Sequence, residues 1–200
     1  MRYAIIGFGE IGHALAKAFS RSGIEVSVAT TRNPVSFASD AAAIGPEIIP
    51  ATLAEAVQAD IIFLAVRFQS HPDVARALPT WQGKIIVDVT NAYGVPPEEL
   101  GKQPSARVVA QAFGGGRVVK GFNHLAAAVL AQDPAVHGGR RVVFLSGDDD
   151  DAAAEIGTLA EHLGFAPVKL GGLSEGGMLV HGRGDRWGQL IFQDLVRFDR

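Results

Sequence analysis

Hydrophobic residues follow two alternating patterns along the chain. Runs that are apolar at nearly every position are separated by alanine-rich stretches in which apolar residues recur every three to four positions. The first pattern is typical of strands covered on both faces, and the second of helices with one buried face. We predict strands at residues 2–7, 24–30, 47–50, 60–66, 83–90, 116–122, 140–147 and 165–171, and helices at 10–22, 37–45, 52–59, 71–78, 105–113, 125–132 and 148–164.

The regular alternation of strands and helices predicts the fold class. Strand–helix–strand units form mainly parallel sheets with helices on both faces, so we expect an α/β, Rossmann-type, doubly wound domain at residues 1–173. Residues 174–200 are too few for a second domain and are expected to form a small C-terminal extension. There Trp187, with Arg183 and Arg186, could close over an anionic acceptor as a lid, contact a second subunit or simply pack on the surface.

The composition narrows the functional class. The 200 residues carry a formal net charge of −3 and no cysteine. This charge does not suggest a nucleic-acid partner, and the lack of cysteine excludes disulfides and thiolate chemistry. The chain runs directly into a strand pattern and has no 18-residue apolar span, so we expect a cytoplasmic protein without a membrane partner. The run Asp148–Asp151 opens a predicted helix and is interpreted as capping, so no metal site is expected.

The turn between the first strand and the first helix has the spacing G-x-G-x-x-G. In a strand–helix–strand unit this spacing indicates a dinucleotide site. Gly7 allows the tight turn, Gly9 lets the backbone approach a pyrophosphate, and Gly12 lets the helix pack close to the strand. The pyrophosphate would lie on the N–H groups that open the helix. The candidate phosphate-binding residues are Gly7, Phe8, Gly9, Glu10, Ile11 and Gly12.

The end of the second strand indicates which dinucleotide is bound. NAD sites usually carry a carboxylate there, which bonds the ribose 2′-hydroxyl. This chain has Thr30, Thr31, Arg32 and Asn33 instead. Arg32 can make a forked contact to a 2′-phosphate, and Thr31 can donate its hydroxyl. These residues therefore predict NADP(H) rather than NAD(H).

Ligands of such sheets bind at the carboxyl ends of the strands, so the loops after three later strands complete the candidate site. We expect these loops to line the nicotinamide half of the cleft. They contain Ala65, Val66, Arg67 and Phe68 in the first loop, Thr90, Asn91 and Ala92 in the second, and Gly121, Phe122, Asn123, His124 and Leu125 in the third.

The segments AIIGFGEIG, ATTRN, VDVTN, VVKGFNHLAAAVL, FLSGDDDDAAAEI and GFAPVKLGGLSEGG together resemble a known family over residues 1 to about 177. They are similar to the NADPH-dependent coenzyme F420 reductases and the wider NADP-oxidoreductase family. That family also includes the oxidoreductase domain of the STEAP metalloreductases. The pairing of VVKGFN with SGDDD is more specific than the glycine motif.

The resemblance implies a Rossmann-type protein, often a homodimer, that moves a hydride between NADPH and a flavin or deazaflavin ring such as FMN, FAD or F420. Two departures leave the acceptor open, namely Arg67, where relatives commonly have proline, and the tail after residue 179. Carried over by position, the resemblance makes Thr31 and Arg32 contacts of the 2′-phosphate, places Val66 and Arg67 beside the cofactor, and places Asn123, His124 and Leu125 beside the nicotinamide and the acceptor ring.

Two other functions stay open at this point. A reductase of a small carbonyl or imine would need a proton donor, and His124 is the best candidate because imidazole titrates near neutrality. A histidine there could also only shape the site. A non-catalytic NADP(H)-binding regulator would keep the glycine turn and Arg32 but lack an open cleft beside Asn123. Ring-to-ring hydride transfer needs no protein nucleophile, since the cofactor carries the chemistry.

Overall fold

A computed structural model describes residues 1–101 and 103–180, together with the backbone of residues 194–195. Helices and strands alternate along most of this chain, as the hydrophobic pattern predicts. The helices are α1 Glu10–Arg21, α2 Ala38–Ile44, α3 Leu53–Ala56, α4 His71–Ala75, α5 Ser105–Ala112, α6 Ala127–Leu130, α7 Asp150–His162 and α8 Gly176–Leu179. The strands are β1 Tyr3–Ile6, β2 Val26–Ala29, β3 Ile48–Ala51, β4 Ile61–Leu64, β5 Ile85–Asp88, β6 Arg117–Gly121, β7 Ala135–Val136, β8 Gly139–Gly147, β9 Ala166–Lys169 and β10 Asp194–Leu195.

The strands form one mostly parallel sheet. Its first six strands lie in the order β3-β2-β1-β4-β5-β6, and every neighbouring pair among them is parallel. This is the order of a Rossmann fold, in which the order of the strands along the sheet reverses at the point between β1 and β4. The predicted α/β doubly wound fold is therefore confirmed. Strand β8 then runs antiparallel to β6 and pairs with β9 in parallel and with β7 and β10 antiparallel.

Both faces of the sheet are covered, which explains why the strands are apolar at nearly every position. Ile5 and Phe63 point into a core that also holds Leu15 of α1. Their sequence neighbours Ile62 and Leu64 point into the opposite core. Because side chains alternate between faces, a strand buried on both sides needs hydrophobic residues at consecutive positions.

The described part of the C-terminal extension packs on the domain. Val180 is buried in a small cluster with Val142 and Phe144 of β8. The division at residue 173 remains a prediction. Arg183, Arg186 and Trp187, the candidate lid or dimer residues, lie outside the described residues.

The acidic run before α7 caps that helix. The Asp149 carboxylate accepts a hydrogen bond of 2.7 Å from the N–H of Ala152. Asp148 pairs with Arg107 at 2.7 Å, and Asp150 pairs with Lys169 at 2.6 Å. Within the described ranges, no cluster of three or more histidine, aspartate or glutamate side chains could hold a metal ion.

Candidate functional site

The glycine turn joins β1 to α1 with backbone geometry that side chains would obstruct. Gly7 has a φ of 106°, which residues with a Cβ rarely adopt, and a Cβ there would collide with the carbonyl of Ala65. A Cβ on Gly12 would collide with the carbonyl of Gly7, so this glycine lets α1 approach the turn closely. These two positions account for the tight turn and the close helix packing.

Gly9 shows that the turn has room for a ligand. A Cβ placed on it would meet no protein atom within 4 Å. Gly9 is the N-cap of α1, and no side chain caps that helix. The N–H groups of the first turn are therefore accessible at the positive end of the helix, where a pyrophosphate binds well. The turn fits the phosphates of a dinucleotide.

Phe8 does not face the ligand side of the turn. Its ring is buried and stacks on the His13 imidazole at 3.8 Å between centroids, with 14° between the planes. A ring nitrogen of His13 lies 3.0 Å from the carbonyl oxygen of Gly9. The Phe8 and His13 rings pack against the turn, so Phe8 contributes to the shape of the turn.

The end of β2 presents an exposed cation. The Arg32 guanidinium lies over the Phe37 ring at 5.6 Å and makes no ion pair with any residue that the structure describes. The Thr30 hydroxyl accepts a 2.9 Å hydrogen bond from the N–H of Arg32, and the Asn33 side chain accepts one of 3.0 Å from Val35. Thr30 and Asn33 thus hold the loop, whereas Thr31 and Arg32 are exposed to a ligand.

A cleft of about 880 Å³ runs along the carboxyl edge of the sheet. This volume is within the usual range for ligand sites. The cleft brings the glycine turn together with the loops after β4 and β5. Its lining residues are Gly9, Glu10, Ile11, Ala65, Val66, Arg67, Phe68, Gln69, Ser70, Val89, Thr90, Asn91 and Tyr93.

The residues predicted for the nicotinamide half are thus divided between the cleft and the core. Ala65, Val66, Arg67 and Asn91 line the cleft as expected. Leu125 is buried in the core beside α1. Asn123 and His124 are buried and do not line the cleft.

A buried ion pair supports the cleft wall. The Lys120 ammonium on β6 donates to the Asp88 carboxylate on β5 at 3.1 Å, and both side chains are at most 1% exposed. Lys120 also donates to the Thr90 carbonyl, while Asp88 accepts bonds of 2.9 Å and 2.7 Å from the N–H and hydroxyl of Thr90. Burial lowers the pKa of Lys120, and Asp88 opposes that shift.

Sequence reasoning missed this network. A charged residue inside each of two otherwise apolar strands, Asp88 in VDVTN and Lys120 in VVKGF, is the signal that could have revealed it. Charges buried in this way need a partner, and neighbouring parallel strands provide one. Tyr93, a residue of the cleft lining that is 58% exposed, was also not predicted.

Asn123 connects the cleft wall to the C-terminal segment. Its side-chain amide donates to the Asn91 side chain at 2.9 Å and to the Val180 carbonyl at 2.7 Å. Asn91 in turn donates to the Asn123 carbonyl at 2.8 Å. Phe122, just before it, has a φ of 59°, a conformation that costs energy for any residue except glycine. Burial of the Phe122 ring between Phe63 and Phe165 maintains it.

His124 lies behind the cleft wall. It is 7% exposed and packs on the Phe144 ring at 4.8 Å. Burial lowers its pKa to about 4, only partly offset by the Val142 backbone, and neither ring nitrogen makes a hydrogen bond with the described residues. The imidazole is therefore neutral at pH 7 and is poorly placed to give a proton to a ligand in the cleft.

Comparison with known proteins adds independent information. The family model for NADP oxidoreductases, coenzyme F420-dependent, matches residues 2–92. Metalloreductase STEAP3 of Rattus norvegicus is 31% identical over 176 residues, which cover 86% of this chain and 34% of the relative. The chain thus spans about a third of the length of the curated relatives it matches. No helix among the described residues is long and apolar enough to cross a bilayer.

Solved structures share the fold. A hypothetical protein of Sinorhizobium meliloti is 40% identical with a TM-score of 0.89, and the match covers 99% of this chain and 96% of that one. A protein of Arthrobacter sp. FB24, named as an F420-dependent NADP-reductase, is 27% identical with a TM-score of 0.71 and coverage of 86% for both chains. A reductive aminase of Aspergillus terreus, solved with NADPH, is 21% identical with a TM-score of 0.63, covers 86% of this chain and 55% of its own, and shows the fold alone.

These matches agree with the motifs found along the sequence and with the strand order of the sheet. They confirm the resemblance to this family that the motifs carry. Over residues 2–92 the chain matches the family of coenzyme F420-dependent NADP oxidoreductases, and over about 86% of its length it is similar to a metalloreductase and to a protein named as an F420-dependent NADP-reductase.

Proposed function

We propose that the protein transfers a hydride between NADP(H) and a flavin or deazaflavin ring. The observation that carries this proposal is the single cleft that joins the glycine turn to the ends of β4 and β5. A dinucleotide bound at the turn would extend its nicotinamide towards Val66 and Asn91, because that half follows the sheet away from β2. Tyr93, a residue that is 58% exposed, lines the same cleft.

The residues that would hold NADP(H) form two groups. The backbone of Gly9, Glu10 and Ile11 would bind the pyrophosphate at the start of α1. Thr31 and Arg32 would bind the 2′-phosphate, and a charge-assisted bond of this kind contributes about 1.5–3 kcal/mol. When bound, NADPH supplies the hydride.

The protein itself orients the two rings. The Lys120–Asp88 pair fixes Thr90 and with it the wall of the cleft. The acceptor ring takes the accompanying proton from water, which the open cleft admits. No protein side chain has to act as an acid.

The carbonyl or imine reductase is less well supported because His124, the proton donor predicted for it, does not line the cleft. His124 is buried, neutral and outside the cleft. Asn123 contacts Asn91 rather than open space, so we propose that it positions the cleft wall instead of contacting the reacting atoms. A regulator without turnover would also need the part of the cleft that holds NADP(H), and Asn123 does not line that cleft, so turnover with an acceptor is what distinguishes the regulator from the enzyme. A cytoplasmic location and a homodimer remain predictions.

Turnover with ring acceptors tests the proposal. NADPH oxidation is followed at 340 nm after addition of FMN, FAD, F420 or a ferric chelate, each with an enzyme-free control. We expect oxidation with at least one flavin or deazaflavin and a matching loss of the oxidised acceptor's absorbance. Tight NADPH binding with no oxidation by any of them would favour the regulator and refute the enzyme.

A further inference from the structure

Arg67 is a charged side chain of the cleft that has no partner among the described residues. Arg67 lines the cleft at the end of β4 and is exposed. No ion pair or hydrogen bond joins its guanidinium to any of the described residues, including Glu10, the other charged residue of the lining. By contrast, the nearby Arg76 pairs with Asp73 on the surface.

The backbone that carries Arg67 is well held. Its φ and ψ are −63° and 144°, and its carbonyl accepts a 2.9 Å hydrogen bond from the N–H of Ser70. The next side chain, Phe68, is buried at 6% exposure. The guanidinium is therefore free to move while its point of attachment is fixed. This arrangement suits a residue that contacts a ligand entering the cleft.

The sheet order places Arg67 on the acceptor side of the turn. β1, which precedes the glycine turn, lies between β4 and β2. Neighbouring strands are about 4.8 Å apart, so the end of β4 is roughly 10 Å from the end of β2, where Arg32 lies. Arg32 would serve the 2′-phosphate, which leaves Arg67 beside the nicotinamide half, where the acceptor must stack.

We infer that Arg67 is a specificity-determining residue that binds an anionic group, a phosphate or a carboxylate, on the side chain of the acceptor ring. A guanidinium matches such groups with two parallel hydrogen bonds. This inference rests on the proposed function and narrows its substrate class to anionic ring acceptors.

FMN and riboflavin provide a matched pair of probes, because they share one ring and differ by a phosphate. Their Kd values are measured by flavin fluorescence with the protein saturated with NADP⁺. We expect wild-type protein to bind FMN roughly tenfold more tightly than riboflavin. Arg67→Ala should abolish that preference and leave the riboflavin Kd unchanged. Arg67→Lys should keep part of it, and the control Arg76→Ala should keep all of it.

Two further arms identify the source of the preference. The pair 10-carboxymethylflavin and lumiflavin tests a carboxylate in the same way, so a preference in both pairs indicates any anion and a preference in the first alone indicates phosphate. Raising KCl from 0.05 to 0.3 M should weaken the preference, since salt screens a solvent-accessible charge pair. Thermal melts of every variant verify that the fold is retained, and Arg67→Gln replaces Arg67→Ala if it is not.

Equal binding of FMN and riboflavin by the wild type would overturn the inference, as would a preference that survives Arg67→Ala. A loss of NADP⁺ affinity in Arg67→Ala by the same factor would also overturn it, because Arg67 would then belong to the cofactor. The proposed function and the role of Arg67 can each be refuted without the other. An FMN preference without NADPH oxidation refutes the function alone, and oxidation without a preference refutes the role of Arg67 alone.

Discussion

The buried pair between Lys120 and Asp88 allows a quantitative test of how the cleft wall is held. Lys120→Met keeps a side chain of similar length but removes the charge. The Asp88 carboxylate, 0% exposed, would keep the N–H and hydroxyl of Thr90 as partners and lose its counter-ion. Lys120 is also the donor to the Thr90 carbonyl, so the loop that leads to Asn91 would lose one of its ties.

The expected cost is large because the charge left behind is buried. Removing one partner of a buried ion pair typically destabilises a protein by about 3–5 kcal/mol. In a domain of this size, each kcal/mol lowers Tm by roughly 2–4 °C, so the decrease should be about 6–20 °C. The double variant Lys120→Met with Asp88→Asn removes both charges but retains an amide oxygen for Thr90. It should recover stability to within about 1–2 kcal/mol of wild type.

Urea unfolding followed by circular dichroism measures these differences. Lys169→Met is the matched control, since Lys169 forms an exposed pair with Asp150, whose side chain is 86% exposed. That substitution should cost less than about 1 kcal/mol. A cost for Lys120→Met no greater than that of Lys169→Met would refute the reasoning, and so would a double variant less stable than Lys120→Met alone.

Three further predictions follow from the cofactor site and its surroundings. Arg32→Ala should raise KM for NADPH by roughly 10- to 100-fold and leave KM for NADH nearly unchanged, because only NADPH carries the 2′-phosphate; equal changes in steady-state assays would contradict the NADP assignment. Gly9→Val should weaken NADPH binding by roughly tenfold or more in titrations while Tm shifts little, since its Cβ would enter the phosphate cradle and meet no protein atom; wild-type affinity would exclude a phosphate at Gly9. His124, whose pKa falls to about 4 on folding, should contribute stability above pH 6.5 that is lost as the pH falls towards 4, by about 3 kcal/mol. His124→Phe should show a shallower decline in urea titrations across that range, and parallel curves would contradict the assigned burial.

Much of the fold follows from local patterns. Consecutive apolar residues such as Ile61, Ile62 and Phe63 predict a strand buried on both faces, and the structure has β4 there. The glycine turn was also predictable from local sequence, because a strand pattern precedes it and a helix pattern follows it. The rule that ligands bind at the carboxyl ends of strands directed attention to Arg32 and Arg67, which the structure places at the ends of β2 and β4, and their roles remain predictions.

The remaining features depend on contacts between distant segments. Nothing near Asn123 and His124 indicates that the loop turns inward there, because the turn requires the left-handed Phe122 and a cluster with Phe63 and Phe165. The antiparallel direction of β8 was not predicted either. The pairing of Lys120 with Asp88 joins residues 32 positions apart, which no periodicity could have shown.

Transfer of a labelled hydrogen tests the central claim most directly. NADPH deuterated at C4, prepared separately with the label on each face, is incubated with the protein and the 5-deaza analogue of FMN, whose reduced C5 holds the transferred hydrogen firmly. If the protein moves a hydride between NADPH and a deazaflavin ring, one of the two labelled cofactors will give a reduced acceptor that is about one mass unit heavier than the acceptor reduced with unlabelled NADPH, as measured by mass spectrometry. Reduction without deuterium from either cofactor, or no reduction at all, would contradict direct hydride transfer.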